Sequence, residues 1–462
     1  MTSCGLLYKF YSMQIGDRFT AEIEDFAYHQ ECGVAKVDGF VIFIPWTLPG
    51  DVVEAYVRDI KANFGFAELI EIKKPSNDRV PPLCPVFSMC GGCTLQSLVY
   101  EHQVALKEKY VIDSLKRIAH IEPSSVDILS IVKSPQIWYY RNKMEFVFGK
   151  KNGEVILGLH KRGSYKDYVD VKECFIFSKS APQIMDTVRN FTRELNLSTY
   201  NPVTHKGILR HLVMREAKST GKMLVNLVTD FGEIDIEKLA KAMPEMVAGL
   251  LWTINTRKAD AVIPEKDRVI RGAGEIIDRI ANIDFCITPY SFVQPNPYAA
   301  GIMYDKIYEL LNPRGDETIL DLYCGSGGIS LYLSRSVKQV FGIDSSQSSI
   351  ESATKNAQLN NCKNINFIKD DVRRVLYQRK GWRDRVDIAV IDPPRDGVSK
   401  RAMKHLITLK ISTLLYISCN PTTLARDTSI LIENGYKLDC IQPIDMFPHT
   451  YHIEVIAIFS RK

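Results

Sequence analysis

The chain has 462 residues, of which 45% are hydrophobic and 24% charged, with a net charge of +5. That length predicts about three domains with substantial cores. No run of eighteen apolar residues occurs, so a membrane-spanning helix is excluded. Residues 1–13 lack a secretory pattern, and Met13 is an alternative start. Eleven cysteines without such a leader point to a reducing cytoplasm rather than to disulfides.

Residues 12–75 read as short strands at 18–23, 33–37, 40–44, 51–60 and 64–72 with glycine turns, which predicts a small β-barrel. This segment holds 6 Lys/Arg against 11 Asp/Glu. An acidic barrel is a poor match for phosphate, so a packing role that shapes a cleft competes with RNA binding.

Residues 76–285 read as a mixed α/β middle domain. It opens with Cys84, Cys90 and Cys93, the last two bracketing Gly91-Gly92. Three sulfurs so close suit a metal or an iron–sulfur centre, with Cys174 the candidate fourth ligand. Spacing alone leaves a four-cysteine zinc site, a cubane iron–sulfur cluster and unligated thiols open. Cys4, Cys32, Cys286, Cys324, Cys362 and Cys440 read as ordinary free thiols. Residues 133–222 hold 17 Lys/Arg against 8 Asp/Glu. Aromatics are interleaved, as in Trp138-Tyr-Tyr-Arg141-Asn-Lys143 and Lys161-Arg162-Gly-Ser-Tyr165-Lys166. Bases stack on aromatic faces while cations hold phosphates, so RNA contact is expected here. Residues 210–215 and 226–229 suggest strands.

Residues 286–462 alternate strand and helix, after a joint at 289–297. A strand at 317–323 runs into the turn Cys324-Gly-Ser-Gly-Gly328 and an apolar helix start. Glycines let a backbone turn tightly and approach a cofactor. The next strand, 339–344, ends in Asp344, and an acid about twenty residues after such a turn commonly binds ribose hydroxyls. A helix is expected over 346–360. The strand at 386–391 ends in Asp392-Pro-Pro-Arg395, where proline stops the strand and holds the acid at its end. The strand at 413–418 delivers Cys419, placed as a nucleophile at the ligand-binding edge of an open α/β sheet. The strand at 452–458 carries Glu454 among apolar residues, and a buried carboxylate is costly unless used or paired.

The order Asp321-Leu-Tyr-Cys-Gly325, Asp392-Pro-Pro-Arg395, Ser418-Cys-Asn-Pro421 with Thr423-Leu-Ala-Arg-Asp427, and Phe447-Pro-His-Thr450 before Glu454 resembles the RNA uracil-5-methyltransferases. The resemblance covers residues 12–462. It implies a class I methyltransferase doubly wound sheet at the C-terminus, and the barrel resembles the RNA-binding TRAM domain. It implies S-adenosyl-L-methionine as donor and a uridine in RNA as acceptor. Cys419 would then add to carbon 6 of the uracil, and Glu454 would remove the proton from carbon 5. Asp392 would lie near donor and target base, while Gln294, Tyr323 and Asp344 would contact the donor. The family often has Glu at position 344, and Asn or Thr at position 328. A subgroup carries a [4Fe–4S] cluster on the pattern of Cys84, Cys90, Cys93 and Cys174, to which a structural role is assigned. Cluster and barrel favour the 23S ribosomal RNA enzymes over transfer RNA relatives, which are expected to be shorter and to lack both. A monomer is expected. A non-catalytic iron–sulfur RNA-binding protein is a third reading, against which the intact Cys419, Asp392 and Glu454 argue.

Overall fold

The computed structural model describes residues 13–461 except 29, 259–264, 379–380 and 383–384. Cys4 and residue 12, the expected start of the barrel, lie outside the described residues. The chain divides into two compact units.

The first unit is built on β1 (Arg18–Ala27), β2 (Cys32–Val37), β3 (Phe40–Pro45), β4 (Val52–Ile60) and β5 (Phe64–Lys74). They close into a barrel in the order β1-β2-β3-β5-β4. Alternate residues point inward, as the two-residue period of a strand requires, so Ile23, Ala35, Ile42, Ile44, Val53 and Ala55 form its core. Asp51 is fully buried and holds Arg79 through two contacts, 2.8 Å to Nε and 2.7 Å to Nη2. It also accepts the backbone N–H groups of Leu48 and Ser76. A buried carboxylate is tolerable here because each oxygen has a charged or N–H donor.

The second unit contains two large sheets. After α1 (Tyr100–Ser114), whose last turns belong to it, come β6 (Asp127–Ile128), β7 (Lys143–Lys151), β8 (Glu154–His160) and β9 (Tyr168–Asp170). Then follow α2 (Ala181–Glu194), β10 (Leu209–Glu216), β11 (Met223–Thr229), α3 (Ile236–Ala242), β12 (Val247–Ile254) and β13 (Lys266–Gly272). A seven-stranded sheet runs β13-β12-β11-β10-β7-β8-β9. The basic character expected of this region is partly internal. Arg189, Arg210 and Arg215 are at most 2% exposed. Arg189 donates to the Leu157 and Val171 carbonyls, Arg210 to Asn255, and Arg215 to Pro289 and Ser291. These cations cap backbone carbonyls and cannot face phosphate. Tyr140 is likewise buried, donating to the Pro448 carbonyl at 3.0 Å. Lys161, Tyr165 and Lys166 do stand exposed.

A hairpin of β14 (Ile276–Ile280) and β15 (Ile283–Ile287) leads into α4 (Pro297–Leu311). The remaining elements are β16 (Thr318–Leu322), α5 (Gly328–Ser334), β17 (Gln339–Asp344), α6 (Gln347–Leu359), β18 (Ile365–Lys369), α7 (Val372–Gln378) and β19 (Ile388–Ile391). After them come α8 (Lys400–Leu409), β20 (Thr413–Ser418), α9 (Pro421–Glu433), β21 (Tyr436–Ile444) and β22 (Glu454–Arg461). The sheet order is β18-β17-β16-β19-β20-β22-β21-β6. Strands β16 to β20 are mutually parallel, and β22 runs antiparallel to β20 and β21. This is the class I methyltransferase sheet, with its switch in strand order between β16 and β19. Among the described residues no helix is long and apolar enough to cross a membrane.

Lys107 on α1 is fully buried. Its Nζ lies 2.6 Å from Asp445 Oδ1 and 2.9 Å from the Phe447 carbonyl. Burial pushes the lysine pKa down, and Asp445 opposes that. Breaking such a pair leaves one uncompensated buried charge. Asp445→Ala is therefore expected to destabilise the protein by about 3–5 kcal/mol, read as a lower denaturant midpoint. The apolar double replacement Lys107→Met with Asp445→Leu should lose much less. Equal loss in both would show that the charge pair is not what matters.

Candidate active site

Parallel strands in an open sheet all present their C-terminal ends to the same edge, and the switch point leaves a crevice there. A cavity of about 540 Å³ occupies it, lined by Gln294, Tyr323, Asp344, Asp392, Cys419 and Glu454 among others. The structure thus brings all six sequence-predicted donor and catalytic candidates to one space. In strand order Asp344 ends β17, Tyr323 follows β16, Asp392 follows β19, Cys419 follows β20 and Glu454 opens β22. At ~4.8 Å per strand, three spacings put the ends of β17 and β20 about 14 Å apart.

Each loop is held by a local device. At the β16 turn, Tyr323 adopts φ +66° and Gly325 and Gly327 adopt +54° and +83°. Glycine takes that region without cost, whereas for Tyr323 it is strained and must be enforced by its surroundings. Asp344 closes the turn by accepting the N–H of Gly325 at 3.0 Å and of Ser346 at 2.8 Å. The shorter acid therefore reaches the turn directly. Gln294 is held through its backbone, its carbonyl accepting from Asn142 at 3.0 Å. Asn420 caps α9 by accepting the Thr422 N–H at 3.1 Å. It also donates to the Arg395 carbonyl at 3.2 Å, tying the cysteine loop to the Asp-Pro-Pro-Arg loop. Beneath them Asp427 is fully buried. It accepts from Tyr416 Oη (2.7 Å), the Val398 N–H (2.9 Å) and Arg426 Nε (2.8 Å). The Thr423–Asp427 motif is thus a staple between α9 and the loop carrying Asp392.

The site is crowded with acids. Burial raises Asp392 to about 7, reinforced by the charge of Asp321. It keeps a residual opening onto the cavity, but protein surrounds the rest of the side chain. Burial likewise raises Asp321 to about 7, against the pull of its hydrogen bond from Ser330. Glu454, 7% exposed, is pushed well above the usual carboxylate range by burial and then by Asp392, with Arg395 opposing. The half-buried Cys419 thiol is raised to about 11 by burial and by Glu454, while Arg395 pulls it down. Arg395 Nη2 also lies 3.2 Å from His452 Nε2. Burial and that cation depress His452 to about 3, so its ring stays neutral. A thiol, a carboxyl poised near neutrality and a single arginine can perform nucleophilic addition and general-base proton transfer.

Some lining residues carry no sequence signal. Tyr304 sits in an apolar helix and reads as core, and Phe292, 60% exposed at the cavity, reads as loop. The cysteine cluster is placed differently. Cys84 and Cys93 belong to the first unit, Cys90 and Cys174 to the second. Cys84 is half-buried and the other three are buried. Cys90 Sγ accepts the Gly92 N–H at 3.4 Å. Among the described residues no three His, Cys, Asp or Glu side chains gather as a metal-holding group.

Residues 100–462 match the tRNA (uracil-5-)-methyltransferase family, and residues 13–70 match the TRAM domain. The chain belongs to the tRNA (uracil-5-)-methyltransferase family. As a member it is an enzyme, an RNA methyltransferase. It is 37% identical to an uncharacterized RNA methyltransferase of Halalkalibacterium halodurans, covering 95% of this chain and 96% of that protein. A counterpart in Staphylococcus aureus is 35% identical over 94% and 96%. Among solved structures it resembles the Pyrococcus abyssi tRNA (uracil-54, C5)-methyltransferase in complex with S-adenosyl-L-homocysteine. That likeness has a TM-score of 0.77 and 30% identity, covering 95% of this chain and 99% of the other.

In the ligand-free methyltransferase Cys419 should alkylate slowly at neutral pH, its rate climbing toward a midpoint near 11. Glu454→Gln removes a negative neighbour, so the midpoint should fall. Mass spectrometry of the Cys419 peptide after timed iodoacetamide exposure reads both. A wild-type midpoint at the ordinary thiol value of about 8.5 would contradict the crowding described.

Proposed function

We propose that this enzyme methylates carbon 5 of a uridine in 23S ribosomal RNA through a covalent bond between Cys419 and carbon 6 of the uracil. The observation that carries the reading is the single cavity. It sets a thiol, Asp392 and a buried carboxyl at the ends of β20, β19 and β22, with a ribose-type acid three strands away. Carbon 5 of uracil is a poor nucleophile. Addition of the Cys419 thiolate to carbon 6 converts the ring to an enolate with nucleophilic character at carbon 5. Arg395, the cation that lowers the thiol pKa, favours the thiolate. S-adenosyl-L-methionine, when bound, supplies the electrophilic methyl group. Gln294, Tyr323, Asp344 and Asp392 would hold it, and a cavity rich in carboxylates suits its positive charge. Glu454 then takes the proton from carbon 5. Its raised pKa makes it a stronger base than an ordinary carboxylate. Elimination of Cys419 restores the double bond and frees the thiolate.

The choice of 23S RNA rests on the four cysteines, with the TRAM match supporting RNA binding and the enzyme acting as a monomer in the cytoplasm. Transfer RNA is the second reading. The Pyrococcus abyssi transfer RNA enzyme matches 95% of this chain, so the expectation that transfer RNA enzymes are shorter does not hold. Cys84, Cys90, Cys93 and Cys174 are proposed to hold a structural [4Fe–4S] cluster. Four cysteines of low exposure, one accepting a backbone N–H, are chemically suited to iron and sulfide.

Glu454→Gln should permit addition and methylation but stall elimination, so a covalent, methylated protein–RNA complex should accumulate. Sequencing the captured RNA separates 23S from transfer RNA. Turnover should fall by about a hundred- to ten-thousand-fold, and Cys419→Ala should give no complex, even on RNA containing 5-fluorouridine. A Glu454→Gln variant that is folded and fully active would remove Glu454 from the mechanism. For the cluster, anaerobic purification should give a brown protein with about four irons and equivalent sulfide per chain. Stoichiometric zinc without sulfide would refute it.

A further inference from the structure

Tyr304 on α4 is 3% exposed, and what remains exposed faces the cavity. Its hydroxyl finds no hydrogen-bond partner among the described residues, which leaves it available to a ligand in the cavity. The hydroxyl also fills a particular space. A Cβ on Gly328 would lie 2.3 Å from it and 3.1 Å from the ring carbon that bears it. Even an alanine at 328 would overlap the oxygen. Asp392 and Asp321 are near enough to act on the same hydroxyl. Tyr304 therefore stands at the ends of β16 and β19, midway in strand order between Asp344 and Cys419.

That position has a chemical meaning for a sulfonium donor, whose sulfur carries three branches. With the ribose at Asp344 and the methyl directed toward β20, the third branch, an α-amino-acid arm, lies near the ends of β16 and β19. We infer that the Tyr304 hydroxyl donates a hydrogen bond to the carboxylate of that arm, and that Gly328 leaves the room it needs. The neighbouring Asp321 and Asp392 complement the ammonium of the same arm. The inference rests on reading the cavity as an S-adenosyl-L-methionine site.

The test compares two ligands by calorimetry. S-adenosyl-L-homocysteine carries the amino-acid arm, and 5′-methylthioadenosine lacks it. Tyr304→Phe should bind S-adenosyl-L-homocysteine about ten times more weakly, as expected for loss of a hydrogen bond to a charged group, while its affinity for 5′-methylthioadenosine stays unchanged. In turnover the donor KM should rise, with the KM for RNA and kcat held. Gly328→Ala should weaken the same ligand, and adding Tyr304→Phe to it should recover part of the loss by removing the overlap. Equal weakening of both ligands, or a change in kcat with no change in donor affinity, would overturn the inference and make the residue structural or a partner of Asp392. Unchanged binding of both ligands would also overturn it. If the wild type binds neither ligand, the donor-site reading itself fails, independently of Tyr304.

Discussion

Between β16 and β19 the strand order reverses, so successive helices leave for opposite faces of the sheet and nothing bridges the gap at its C-terminal edge. Tyr323, Asp344, Asp392, Cys419 and Glu454 are each brought to that gap by the end of a strand. The proline pair after Asp392, the Asn420 cap on α9 and the Asp344 clasp on the glycine turn each stop the chain where its side chain faces the crevice. The Asp427 staple fixes two of those loops to each other. Such a site is positioned by the sheet and not by flexible loops, which is what pre-organised chemistry demands.

The same convergence creates an electrostatic conflict. Burial, reinforced by neighbouring acids, holds the pKa values of Asp321, Asp392 and Glu454 above the usual carboxylate range. A thiol in that company resists ionisation. The arrangement suits the base role proposed for Glu454, and it disfavours an idle, permanently reactive thiolate. Arg395 is the counterweight, and its contact with a neutral His452 keeps it at the cavity wall.

Much of this was legible in the sequence because strand ends announce themselves. Asp392 before two prolines, Cys419 after a run of apolar residues and the glycine turn before α5 all mark where a strand must stop. The five barrel strands fall within a few residues of their expected bounds for the same reason. Strands β18 and β21 escaped, the first because its five residues show no clean alternation, the second because Pro443 interrupts its pattern. The last strand begins at Glu454, two residues later than expected, since its ladder to β21 opens with the Glu454–Ile444 pair. Charge counting overstates the exposed charge of the middle region. A composition cannot tell an arginine facing solvent from Arg189, Arg210 or Arg215, whose long side chains turn inward to satisfy carbonyls. Tyr304 was invisible because its meaning lies in a missing side chain 24 positions away.

The Lys107–Asp445 pair spans 338 residues of chain. At the usual rates of synthesis the lysine waits about 20–70 s for its partner to be made. Through that interval its ammonium stays hydrated, and the segment that will wall the cavity at Phe447 does not yet exist. The edge strand β6 waits as long for β21, since Asp127 pairs with Cys440. The catalytic crevice is therefore among the last parts of the molecule to close, and a ribosome that stalls late releases a nearly complete chain that holds Cys419 but lacks Glu454.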